Sequence, residues 1–255
     1  MRAEPHGPMG RGPTVAYIPG IDGRGEMLFG TEACLAASFE LHRFRYVGTE
    51  ARGAELYDTL ADSIIEHLPE GPSVVIAESF GGAVALSVAL RAPERVRGLL
   101  LVNTFARFPR RVRIRAGAML MPFVPTRPVA WARRLVVPSL LVRPRRDAAA
   151  ERSIRSMRPG MLDGGFPARL RAIRDLDLTG ALGRIQVPCA LYASTHDRVV
   201  PSLKTMAEIA SLLPNATLER VERAGHIVLP LEAEPWPERV EELLRRAREM
   251  DSRPR

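Results

Sequence analysis

The stretch Ser73-Val74-Val75-Ile76-Ala77-Glu78-Ser79-Phe80-Gly81-Gly82-Ala83-Val84-Ala85-Leu86 decides the fold. Its first part is a short apolar, β-branched run without polar alternation, the pattern of a parallel strand buried on both faces. The small residues from Gly81 to Leu90 read as a helix, so Ser79 stands on a strand-to-helix turn. A turn that sharp strains its central residue and needs small neighbours two positions before and after, a need Ala77 and Gly81 meet. The Ser79 hydroxyl is thereby lifted above the sheet edge. The first amides of the following helix point at whatever it attacks.

A Ser in such a turn is common, and its company gives it meaning. Asp197 lies just past the apolar run Ala190-Leu191-Tyr192-Ala193, and His226 follows a further candidate strand, Thr217 to Val221, in Ala224-Gly225-His226. The order Ser, Asp, His, each on a loop after a strand, is the one nucleophile-elbow catalysis uses. His196 precedes Asp197 on the same loop, whereas His6, His42 and His67 have no motif around them. Only His226 stands behind the final strand.

The Pro19-Gly20-Ile21-Asp22-Gly23-Arg24-Gly25 loop, taken with Glu78-Ser79-Phe80-Gly81-Gly82, resembles the α/β-hydrolase superfamily. Within it, the two motifs are similar to those of esterase/lipase-like serine hydrolases of bacteria and of plant plastid acyltransferases, phytyl ester synthases among them. The resemblance covers residues 14–104 and 186–246. It implies an α/β fold: a mostly parallel, doubly wound sheet with a helical cap insertion and a truncated N-terminus, which leaves no room for the family's usual first two strands. The core then occupies 14–104 and 186–250 and the cap, or lid, 105–185. By the same resemblance the oxyanion hole is made by the amides of Ile21 and Phe80, two preorganised donors for a tetrahedral oxyanion. Ala77 stands where the family usually has Gly. Some relatives carry the acid after the strand at residues 98–103, but Asn103-Thr104 occupies that place here, which favours Asp197.

The remaining chain fits that frame. Residues 14–18, 39–46, 98–103 and 187–193 read as strands; residues 26–37, 53–68, 201–213 and 238–250 read as helices, the second with Leu56, Leu60, Ile64 and Leu68 on one face. Alternation with short connections is the doubly wound pattern. It breaks over 105–185, which holds no convincing strand but has helix-like runs at 129–135 and 148–157.

The net charge of +8 is concentrated in that break: residues 105–158 carry fourteen arginines against Asp147 and Glu151, a balance of +12, so the remainder sums to −4. A uniformly basic chain would suggest nucleic acid. A basic insertion beside a site suggests instead an anionic substrate or surface. Its apolar patches rimmed by arginines can line an acyl pocket or make peripheral contact with an anionic membrane, or the arginines can snorkel over the cap's own core. With 46% hydrophobic residues in 255, a sizeable core is available, and disorder is expected only in the first dozen residues and after Met250. No run of 18 apolar residues and no signal-peptide core occurs, so a cytoplasmic protein is expected. Cys34 and Cys189 are expected to be buried free thiols.

No metal cluster or phosphate loop stands out, so the expected chemistry needs no cofactor and no nucleic acid. It is acyl transfer from a small-molecule ester or acyl substrate: Ser79 attacks, His226 takes its proton, and Asp197 holds the imidazole. A Ser rather than an Asp at 79 excludes the haloalkane dehalogenase and epoxide hydrolase chemistries of related folds. The outcome is hydrolysis of a carboxylic ester or, if an alcohol replaces water, transfer of a fatty acyl group.

Overall fold

A computed structural model describes residues 1–25, 28–49, 53–109, 164–231 and 234–252. The first core unit comprises β1 (Arg2–Pro5), β2 (Thr14–Ile18), α1 (Thr31–Ser38), β3 (Glu40–Val47), α2 (Glu55–His67), β4 (Ser73–Glu78), α3 (Phe80–Arg91) and β5 (Val96–Val102). After the segment 110–163, the chain continues with α4 (Phe166–Asp175), a 3-10 turn (Thr179–Arg184), β6 (Cys189–Ser194), α5 (Ser202–Leu212), β7 (Ala216–Val221) and α6 (Trp236–Asp251). Among the described residues the strands form one seven-stranded sheet in the order β1-β3-β2-β4-β5-β6-β7. Every neighbouring pair is parallel except β1 with β3. This is the doubly wound α/β-hydrolase fold.

The register explains why both faces are covered. Along β2, Val15 and Tyr17 enter one cluster with Leu35, Val74, Ile76 and Trp236, while Ala16 and Ile18 enter the other with Leu60, Val75, Ala77 and Leu86. A strand buried on both sides must be apolar at every position, and β4 is buried along its whole length. On α2 the buried positions Leu56, Tyr57, Leu60, Ala61 and Ile64 recur at helical spacing. Full burial of each leucine or isoleucine contributes about 1.5–3 kcal/mol. The chain runs from β2 outward to β3 and then returns across β2 to β4. Strand order therefore reverses between β2 and β4, and in open sheets the crevice beyond the carboxyl ends at such a point is where ligands bind.

Three expectations are corrected. The first dozen residues are not disordered, and in place of the two strands said to have no room the N-terminus carries one: β1 pairs along β3, Ala3 is fully buried, and Met9 bridges Leu41. The Ser63 hydroxyl of α2 pins this edge, accepting from the Ala3 amide at 3.1 Å and donating to its carbonyl at 2.8 Å. The first helix, expected from residue 26, begins at Thr31, and Phe29 ahead of it has a φ of 41°, outside the helical region. Cys34 is exposed, while Cys189 is buried; both are free. Of the cap expected at 105–185, residues 110–163, with both helix-like runs, most of the arginines and the apolar patches, lie outside the described residues. Among the described residues no helix is long and apolar enough to cross a membrane.

Candidate active site

β4 ends at Glu78 and α3 begins at Phe80, so the chain reverses direction at Ser79 alone. Ser79 takes φ 52° and ψ −124°, a conformation that costs on the order of 1–3 kcal/mol and persists only where its surroundings fix it. They do so closely. The Ser79 amide donates to the Val102 carbonyl at 3.0 Å; its own carbonyl accepts from the Gly82 amide at 3.1 Å and the Thr104 hydroxyl at 2.5 Å. A Cβ on Gly81 would sit 2.3 Å from the Pro19 carbonyl oxygen and 2.6 Å from that of Ile18, so helix and β2 approach as near as backbone allows. A Cβ on Gly20 would lie 3.7 Å from that of Ser79. The 19–25 loop and the elbow are thus in contact.

Two later loops complete the arrangement. His226, on the loop after β7, places Nε2 3.0 Å from Ser79 Oγ and Nδ1 2.7 Å from Asp197 Oδ2. Asp197, after β6, uses Oδ1 to accept the amides of Val199 and Val200 at 2.8 and 3.0 Å, while Oδ2 also accepts from the Ser202 hydroxyl at 2.5 Å. Burial raises the Asp197 carboxyl, but the His226 charge and these hydrogen bonds outweigh it and hold the group below its ordinary value. Burial likewise works against a charged imidazole, and the nearby Asp197 and Glu78 carboxylates overcome it, so His226 titrates above its ordinary value. An ionised carboxylate only accepts, which puts the proton on Nδ1 and leaves Nε2 to accept from the Ser79 hydroxyl.

The three expected side chains therefore converge from β4, β6 and β7. His196 does not join them: its Nδ1 faces the Thr195 hydroxyl at 3.0 Å. Of the two amides assigned by resemblance, that of Ile21 belongs to the second residue of a tight turn closed by the Gly23 amide donating to the Gly20 carbonyl at 3.1 Å. A trans peptide sets N–H opposite C=O, so the Ile21 N–H leaves that turn on its outer side. Phe80 begins α3, where first-turn amides have no partner within the helix.

Sequence reasoning left several participants without a role. Asn103, fully buried at φ 47°, donates through Nδ2 to the Ser194 hydroxyl at 2.8 Å and the His226 carbonyl at 2.7 Å, and accepts the Ser194 amide at 2.8 Å. It braces the end of β6, ahead of Asp197, against the loop that carries His226. Ser202 orients Asp197. Glu78, beside Ser79, accepts from the Tyr17 hydroxyl at 2.6 Å; burial, opposed by that bond, pushes its carboxyl up to about 7. The only signal for Asn103 was its place after β5, and Glu78 gave none beyond adjacency to Ser79. Among the described residues no group of His, Cys, Asp or Glu is arranged to hold a metal ion.

A doubly wound sheet with a strained Ser at a strand-helix turn, facing a His and an Asp from later loops, has the architecture of an α/β hydrolase. Residues 20–242 match the model of the Alpha/beta hydrolase family, and the chain belongs to that family. It is 30% identical over 202 residues to the pimeloyl-[acyl-carrier protein] methyl ester esterase of Aromatoleum aromaticum, covering 70% of this chain and 76% of that one. It is also 35% identical over 180 residues to the magnesium-chelatase 30 kDa subunit of Rhodobacter capsulatus, covering 65% and 60%. Among solved structures, a thermophilic esterase from Thermogutta terrifontis superposes with a TM-score of 0.76 at 21% identity, over 96% of this chain and 93% of that one. The enol-lactonase of Burkholderia xenovorans LB400 does so with the same TM-score at 19% identity, over 95% and 96%.

Proposed function

We propose that this protein is a carboxylic-ester hydrolase working through a Ser79-His226-Asp197 triad and an acyl-enzyme. The observation that carries the reading is the single imidazole bridging a strained Ser hydroxyl at 3.0 Å and a buried carboxylate at 2.7 Å. Nε2 takes the Ser79 proton as Oγ attacks the ester carbonyl. Asp197 offsets the charge the ring acquires. The oxyanion is held by the amides of Ile21 and Phe80, each such donor being worth about 10²–10³ in rate. His226 then gives the proton to the leaving alcohol, and water, activated in the same way, releases the acid from Ser79. Relatives named as esterases support an ester as the substrate class.

The acyltransferase alternative rests on the 19–25 loop, common to both readings, and on the Arg-rich segment, most of which lies outside the described residues, as does the proposed membrane contact. Hydrolysis is therefore the reading put forward. Hydrolysis of p-nitrophenyl esters of graded chain length, abolished in Ser79→Ala, together with fluorophosphonate labelling mapped to the Ser79 peptide, is the expected result. Labelling elsewhere, or full activity in Ser79→Ala, would refute it.

A further inference from the structure

Arg169 on α4 is fully buried, an expensive place for a guanidinium unless its donors are used. Two of its nitrogens turn to the 19–25 loop, Nε donating to the Ile21 carbonyl at 2.8 Å and Nη2 lying 3.5 Å from the Asp22 carbonyl, while Nη1 lies 3.7 Å from the Met1 sulfur. The slot is built for it. A Cβ on Gly23 would meet the guanidinium at 3.2 Å and one on Gly165 would meet Nη1 at 2.8 Å, so a side chain at either position would crowd the group. The Tyr46 ring lies under it, 5.9 Å from centroid to Cζ. Tyr46 grips the same loop from β3, its hydroxyl donating to the Pro19 carbonyl at 2.9 Å and its amide to the Gly23 carbonyl at 2.7 Å. The carbonyls of Pro19, Ile21, Asp22 and Gly23 are thus each engaged by one of two residues from different elements.

We infer that Arg169 is a positioning residue for the oxyanion hole: by holding the Ile21 and Asp22 carbonyls it keeps in place the turn whose Gly20 carbonyl, bonded to the Gly23 amide, fixes the direction of the Ile21 N–H, and so ties α4 to the catalytic step. This rests on the ester-hydrolase reading. An amide held in place before the reaction stabilises the oxyanion more than it stabilises bound ester, so the loss falls on kcat rather than KM. Because a fork of donors on two carbonyls is not matched by an ammonium, Lys is expected to restore only part of the function.

The test compares wild type, Arg169→Met, Arg169→Lys and Tyr46→Phe at 20 °C, with p-nitrophenyl butyrate as substrate and an alkyl boronic acid as a probe that forms a tetrahedral adduct on a catalytic Ser. Since displacement of a catalytic group by about 1 Å costs roughly 10² in rate, Arg169→Met is expected to lose about 10- to 100-fold in kcat, with KM within about threefold. Boronic acid affinity is expected to weaken by a similar factor, Arg169→Lys to lie between, and Tyr46→Phe to show a smaller loss of the same kind. A lowered melting temperature with kcat and boronic acid affinity unchanged would overturn the inference, leaving Arg169 a purely structural residue. If Arg169→Met does not fold, wild-type kcat and boronic acid affinity in both Arg169→Lys and Tyr46→Phe overturn it equally. Wild-type protein that is neither active nor labelled at Ser79 would instead defeat the ester-hydrolase reading itself.

Discussion

Replacing Asn103 tests whether the end of β6 and the His226 loop are held by one side chain. In Asn103→Ala the Ser194 amide loses its acceptor and the His226 carbonyl its 2.7 Å donor, and both lie in a site where Asn103 itself has no exposure. Each buried group left unpaired costs about 1–3 kcal/mol, so the pair costs about 2–6 kcal/mol. At φ 47° a Cβ without a locally bonding side chain adds about 1–2 kcal/mol more, which Asn103→Gly avoids. Against a total stability of about 5–15 kcal/mol this is a large fraction. The melting temperature of Asn103→Gly is expected to fall by roughly 5–20 °C, with Asn103→Ala lower still. Since the His226 carbonyl is freed, the imbalance should also reach the site: a shift of the imidazole by about 1 Å costs roughly 10² in kcat. Urea melts give the stabilities and p-nitrophenyl butyrate hydrolysis at 20 °C gives kcat. Asn103→Gly within 1 kcal/mol of wild type and within twofold in kcat would show that both segments hold their places without the brace.

Further outcomes follow from the same site. In Asp197→Asn the two amide bonds to Oδ1 can persist, but an NH2 facing Nδ1 favours the wrong tautomer; kcat is expected to fall by about 10⁴ with KM little changed, read from ester hydrolysis. Because the buried Glu78 carboxyl is raised to about 7, its contribution to stability is present below its unfolded value of about 4.3 and lost as pH rises through 7. Glu78→Gln should therefore be stabilised relative to wild type at pH 8 and not at pH 4. With that negative charge gone from beside His226, while Tyr17 and Asp22 remain around position 78, the acid limb of kcat/KM should move to lower pH; an unmoved limb in a pH-rate profile would refute the coupling. Asp197 acts in the opposite sense: its stabilising contribution is present above its ordinary unfolded value and lost as pH falls through its lowered folded value, which acid titration of unfolding in wild type and Asp197→Asn would reveal. Gly81→Ala would force its Cβ within 2.3 Å of the Pro19 carbonyl and should lower both the melting temperature and kcat, through displacement of the 19–25 loop.

What could be read in advance depended on where each constraint is written. Ser79, Gly81 and the run 73–77 are fixed by a local demand, a buried strand turning at once into a helix, and local demands leave their mark within a few residues. Asp197 was legible because it follows an apolar run and His226 because it follows a candidate strand; the convergence itself was not, since it depends on β4, β6 and β7 lying in one sheet. β1 escaped notice because Arg2–Pro5 has only Ala3 facing the core, and its pairing partner, β3, starts at residue 40.

Arg169 marks the far end of that scale. Its partner Ile21 is 148 positions away, and nothing in Phe166-Pro167-Ala168-Arg169-Leu170-Arg171 distinguishes the buried arginine from Arg171 on the same helix. The distinction arises only once α4 lies against the 19–25 loop and Gly23 and Gly165 leave room for a guanidinium. Gly23, at a φ of 70° in the turn, has a second use that only tertiary structure reveals, admitting the side chain that holds the turn. A bulkier residue at either glycine should therefore reproduce the kinetic defect of Arg169→Met. Gly165→Ala adds no backbone strain, because its φ of −84° suits any L residue, whereas Gly23 at +70° would; its Cβ would meet the Met1 Cε at 2.5 Å and the Gly48 carbonyl oxygen at 2.9 Å as well as Arg169 Nη1. A kcat loss in Gly165→Ala with KM preserved, measured beside Arg169→Met, would tie the slot to catalysis; unchanged kinetics would separate them.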